Sequence, residues 1–259
     1  MPTKAPVPLK DGSQVADPRL DRVREDDPRS LEYGVGPLLT AEQLAQPRSY
    51  SWRLDRILNQ QLQGACVGFA WAHELLARPA SVSRIHIDEV FATQRLYWEA
   101  QKRDHYPGGA YPGASPIMGG TSVLACAKVV KDLGYMEEYR WAGTAREVVA
   151  AIGTKGPVVF GCRWYDHMAT PHRDGSVRPD GRYRGGHCVL LTATKVVFTE
   201  GQLDHERTMV RLHNSWGSGW GRGGAAWICA SDLQRLLDQG ADACVPLRRR
   251  SILTGLETR

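Results

Sequence analysis

Apolar residues follow helical spacing in the first half of the chain and gather into short continuous runs in the second. After Gly64-Ala65 the stretch CVGFAWAHELLA is apolar and free of proline until Arg78-Pro79, which predicts a helix starting at or just before Cys66. Further helices are predicted over about 87 to 103 (IDEVFATQRLYWEAQKR), 121 to 133 (TSVLACAKVVKDL, closed by Gly134) and 144 to 152 (TAREVVAAI), with Thr121 and Thr144 as N-caps. The loop PGGAYPGASPIMGG between them cannot hold a helix. Strand-like runs follow at 157 to 164, 187 to 199, 207 to 213 and 224 to 229, and then a short helix, SDLQRLLDQ, with Ser231 as its cap. Helices first and strands second indicate an α+β domain, a helical half packed against a twisted, mostly antiparallel sheet.

The ends are patterned differently. Residues 1–46, with the segment VADPRLDRVREDDPRS, show neither periodicity and read as an extended or flexible arm; 47–247 form the domain and 248–259 a basic tail. With 259 residues, 42% apolar and 24% charged, one ordinary domain with extensions is expected. A domain of this size buries about three-quarters of its unfolded surface and needs no disulfide staple. The net charge of +5 is scattered, and its densest run, Arg248-Arg249-Arg250, lacks interleaved aromatics, so a solvated tail is expected rather than a nucleic-acid site. MPTKAPVPLKDGS lacks the apolar core of a secretory signal, and no stretch approaches the ~18 apolar residues of a membrane span. The expected location is cytoplasmic at synthesis.

Six cysteines, at 66, 126, 162, 188, 229 and 244, form no C-x-x-C pair and no zinc-like cluster, so neither metal nor cofactor is expected. Cys126, Cys162, Cys188 and Cys229 fall in apolar helix or strand patterns where a buried inert thiol is usual. Cys66 differs: a thiol at a helix N-terminus meets unsatisfied N–H groups and the positive end of the dipole, both of which favour thiolate. Acyl transfer by a thiol also needs a base, a group that orients the base, and donors for the oxyanion. His187 opens a strand in GGHCVLLTA, Asn214 ends one in LHNSWGSGWG, and Gln60 stands six residues before Cys66. Of the other histidines, His213 points to the opposite face of its strand from Asn214, and His73 is a packing or surface residue of the nucleophile helix.

These segments resemble the papain-like cysteine peptidases, in a bacterial or bacteriophage form. The resemblance covers about 50 to 245, and its most specific piece is NSWGSGWGRGG at 214 to 224. His187 and Asn214 lie 121 and 148 residues after Cys66, close to the roughly 130–150 of that family. The resemblance implies hydrolysis of peptide bonds through a thioester: Cys66 as nucleophile, His187 as base, Asn214 as its orienter and Gln60 as oxyanion donor. It further implies that Gly119, Gly120 and Trp216 line the substrate site, Trp216 also shielding the His–Asn bond from water. The substrate would be a protein or peptide. In Asn59-Gln60-Gln61-Leu62-Gln63 the spacing favours Gln60, with Gln61 and Gln63 as competitors. Gln63 and Val67 stand where the family carries a cysteine and an aromatic residue, and the family-like region begins too near Met1 for a long helical propeptide. Two roles are open to residues 1–46: a short latch in or near the cleft, or docking to a larger assembly such as a phage particle. Two rival readings keep the fold, one as a binding component of such a particle, the other as a cell-wall amidase or acyltransferase.

Overall fold

The computed structural model describes residues 6–25, 27, 32–79 and 86–249. In the arm, β1 (Val7–Pro8) and β2 (Gln14–Val15) pair as a small antiparallel hairpin. Next come α1 (Ala41–Ala45) and β3 (Tyr50–Ser51), and then the expected nucleophile helix, α2 (Cys66–Leu76). The helix expected over 87 to 103 is a π-helix at Phe91–Tyr97 that runs into α3 (Trp98–Gln101). It is followed by α4 (Val123–Asp132), β4 (Met136–Trp141), α5 (Ala145–Thr154), β5 (Val158–Tyr165) and the single turn α6 (Asp166–Ala169). The long strand β6 (Tyr183–Lys195) leads through a hairpin, β7 (Phe198–Thr199) and β8 (Gln202–Leu203), to β9 (Met209–His213) and β10 (Ala225–Cys229). The described chain closes with α7 (Ala230–Asp238) and β11 (Asp242–Arg249).

The main sheet runs β10-β9-β6-β5-β11-β4, with β3 added against β6, and its pairings are antiparallel. Alternation along its central strands feeds two cores. Val158, Phe160 and Cys162 of β5, with Val189 and Leu191 of β6, pack beneath α5 and α7. Val159, Cys188, Leu190 and Cys244 pack on the other face against α2 and α4. The helix α2 is buried all round except at Leu76, which is why its sequence shows no polar stripe.

Local chemistry sets several boundaries. Thr144 caps α5 as expected, in a reciprocal box with Glu147: the Thr144 hydroxyl accepts the Glu147 N–H at 3.2 Å and the Glu147 carboxylate accepts the Thr144 N–H at 3.1 Å. The cap of α4 is Ser122, not Thr121: Ser122 Oγ accepts the Ala125 N–H at 2.9 Å, while the Thr121 hydroxyl donates to Asp104 at 2.7 Å. Ser231 likewise lies inside the first turn of α7, whose N-cap position is Cys229. Two strands go beyond the sequence reading. In β4 the charged Glu137, Glu138 and Arg140 sit along a half-buried strand at the end of the sheet. In β11, Pro246 and two arginines mask a strand that runs through Arg249. Arg249 is therefore not tail: its side chain is buried, pairing with Glu74 of α2 and donating to the carbonyl of Ala77 at 3.0 Å. Arg250 and the rest of the expected tail lie outside the described residues.

Candidate active site

His187 and Asn214 are brought side by side by the pairing of β6 with β9, Asn214 being the residue that follows β9. His187 Nε2 lies 2.8 Å from Asn214 Oδ1, and both residues are fully buried. The same oxygen accepts the Ser215 N–H at 2.8 Å, so it is an acceptor and His187 Nε2 must be the donor. In the neutral ring the lone pair then belongs to Nδ1, which has no hydrogen-bond partner among the described residues. Trp216 lies 5.1 Å from the imidazole, centroid to centroid, and Trp164 lies 4.7 Å from it. Trp216 was legible in the motif. Trp164 projects from β5, in a run that reads only as buried strand.

The three glutamines differ in burial. Gln60 is fully buried, its Oε1 accepting from Ser215 Oγ at 2.5 Å and its backbone N–H donating to Ser215 O at 2.8 Å; Gln61 and Gln63 are exposed. His73, inside α2, steadies the approach to Gln60 by accepting the Leu58 N–H at 2.9 Å, and burial holds its pKa down to about 4, so the ring stays neutral. It is a packing residue. His213 is buried on the opposite face from Asn214, near His73, with its pKa lowered to about 3 by burial and then by Arg211.

Through these groups runs the arm. The hairpin lies against Gly119: Lys10 N–H donates to Gly119 O at 2.9 Å, Gly119 N–H donates to Pro8 O at 3.2 Å, and the buried Lys10 ammonium pairs with Asp104 at 2.7 Å. Farther along, the Arg19 guanidinium stacks 4.0 Å above Trp216, and Arg19 O lies 3.4 Å from Gln60 Nε2. Asp21 then reaches Cys66. Ala65 offers no side-chain cap to α2, and the N–H of Cys66 donates instead to Asp21 Oδ1 at 3.3 Å, while Tyr97 Oη donates to Asp21 Oδ2 at 2.5 Å. The next residues bind both walls, Arg22 N–H donating to Gly186 O and Val23 N–H to Thr121 O, each at 3.1 Å. Residues 20–23 are buried. No local pattern in the arm singled out Asp21 or Arg22, because their partners come from distant parts of the chain.

Burial sets the charges of these groups. Burial, and next the Asp21 carboxylate, push the Cys66 thiol well above its usual range. Burial lowers His187 to about 4, against the opposing hydrogen bond that it makes to Asn214 Oδ1 and the opposing pull of the Arg19 backbone. Asp21 itself is raised to about 6 by burial, with the hydrogen bonds from Tyr97 and Cys66 pulling the other way. With the arm in place, thiol and imidazole are both neutral near pH 7. Among the described residues all six cysteines are free, no His/Cys/Asp/Glu cluster could hold a metal, and no helix is long and apolar enough to cross a membrane.

A central helix that opens on a cysteine, packed against an antiparallel sheet beside which a buried His–Asn pair sits, is the arrangement of the papain-like fold. The chain is similar to xylellain, a cysteine protease from Xylella fastidiosa, with a TM-score of 0.65 and 16% identity over 90% of this chain and 97% of that one. A proCathepsin B of Trypanosoma congolense aligns with a TM-score of 0.49 and 14% identity, over 91% of this chain and 89% of that one. No protein-family model and no curated protein matches the chain in sequence.

Proposed function

We propose that this chain is a cysteine peptidase, held latent by its own arm. Two observations carry the reading: the buried His187–Asn214 hydrogen bond of 2.8 Å, and a cysteine at the N-terminus of a central helix. In the scheme, Asn214 fixes the tautomer, so that His187 Nδ1 takes the proton of the Cys66 thiol. The thiolate attacks a peptide carbonyl, and the Cys66 N–H and the Gln60 amide receive the developing oxyanion. His187 then protonates the leaving amine, and water hydrolyses the thioester. The arm supports a peptide substrate over other acyl donors, because a polypeptide backbone already hydrogen-bonds Gly119, Thr121 and Gly186. Latency is both steric and electrostatic: Asp21 occupies the Cys66 N–H that the oxyanion needs, and burial keeps thiol and imidazole uncharged.

The test is labelling of the full chain with an epoxide-type thiol inhibitor, located by mass spectrometry, together with proteolysis of unfolded protein substrates. Label at Cys66, and turnover that Cys66→Ala reduces by several orders of magnitude, are the expected results. Equal turnover by Cys66→Ala would overturn the reading.

A further inference from the structure

The Arg22 side chain enters a pocket where Gly161 leaves it room, and Gly186 leaves room for the Arg22 carbonyl. A Cβ on Gly161 of β5 would lie 2.9 Å from Arg22 Nε and 2.7 Å from Val123 Cγ2, and one on Gly186 of β6 would lie 2.0 Å from Arg22 O. At the end of the pocket the guanidinium pairs with Asp242, the first residue of β11, and its Nη2 also lies 3.4 Å from Gly240 O. The Arg22 side chain is 6% exposed and that of Asp242 20%. Asp242 is fixed by the sheet, directly opposite Gly161 in the β11–β5 pairing, so the acidic end of the pocket persists whether or not Arg22 is present. When the arm leaves, this carboxylate loses its paired cation.

We propose that the Asp242 pocket selects the substrate: vacated by Arg22, it takes the arginine or lysine side chain of a peptide seated in the cleft. The arm is then a pseudosubstrate whose Arg22 displays the preferred side chain. Both polar contacts of the pocket converge on Nη2, and Arg22 Nε has no partner among the described residues. The pocket therefore reads a positive charge at a set depth rather than the two-pronged face of a guanidinium, and lysine fits its chemistry as well as arginine.

The inference rests on the peptidase reading, and one experiment separates the two. In the full chain, Arg22→Glu places like charges together and should expose residues 18–23 to hydrogen exchange, whereas the double variant Arg22→Glu/Asp242→Arg should restore their protection. Arg22→Ala serves as the opened form if Arg22→Glu does not fold, as judged by circular dichroism. The opened form is given a mixed peptide library with Cys66→Ala as the blank, and cleavage sites are read by mass spectrometry. The expected result is Cys66-dependent cleavage with arginine or lysine enriched at one fixed position near the cut bond. Asp242→Asn in the same background should reduce that enrichment roughly tenfold or more. Cys66-dependent cleavage without basic enrichment, or enrichment that survives Asp242→Asn, overturns the pocket and leaves the peptidase standing. Cleavage that is absent, or independent of Cys66, overturns the peptidase reading and the substrate pocket with it.

Discussion

Asp21 is a costly neighbour for Cys66, because a fully buried carboxylate resists the charge it would carry in water. Its pKa of about 6, against 3.8 unperturbed, means that the seated arm holds the proton more tightly than the free arm does. The stability linked to that proton is fully present below about pH 3.8 and lost as pH rises through about 6. Asp21→Asn keeps an acceptor for the Cys66 N–H and removes the charge. It should stabilise the protein at pH 7.5 by up to about 3 kcal/mol, two pKa units' worth, and by nearly nothing at pH 3.5. Urea unfolding of both forms across that range, each in a Cys66→Ala background, checks this; a difference independent of pH would contradict it. The opposite linkage from buried His187 is common to both proteins and cancels. Cys66, His187 and Asn214 stand out in the sequence because each lies in a short motif. Asp21 acts across 45 residues on Cys66, and Arg22 across 220 on Asp242, so no window of sequence holds either pair.

Among the elements, β6 does most to seat the arm. Gly186 precedes the base and leaves room for the Arg22 carbonyl, which a methyl group would meet at 2.0 Å. Gly186→Ala should therefore unseat residues 18–23, raising their hydrogen exchange by at least about tenfold while the sheet amides of β5 and β6 keep their protection. At the other side of the domain, the α5 capping box is separable from the site. Thr144→Ala should cost about 1 kcal/mol in urea unfolding without altering arm exchange. That cap and the start of α2 were legible because both are signalled within a few residues. The strands β4 and β11 were not: their charged residues and Pro246 imitate a loop, and only pairing with each other and with β5 makes them sheet.

Across the whole molecule, Glu74 and Arg249 fasten the nucleophile helix to the last strand, with side-chain exposures of 1% and 5%. Replacing one partner leaves the other charge buried, so Arg249→Met should destabilise by about 3–5 kcal/mol, whereas Glu74→Leu/Arg249→Met should recover most of that loss in chemical unfolding. The two-layer α+β plan was legible, since hydrophobic period alone distinguishes α2, α4 and α5 from β5, β6 and β9. The path of the arm was legible only as one of two roles, because its polar sequence does not mark the backbone of Gly119, Thr121 and Gly186 as its partners. Residues 1–46 looked like surface, yet residues 20–23 are interior.

The arm belongs to the same polypeptide as the cleft it fills, and this sets how latency responds to the amount of protein. A tethered segment faces its site at a local concentration on the order of millimolar, whatever the bulk concentration, so dilution cannot release it. If the arm lifts by a first-order opening, activity per molecule is constant when the protein is diluted a hundredfold. If one molecule trims the arm of another, activity appears with a lag that shortens as protein is added, and progress curves at several concentrations distinguish the two.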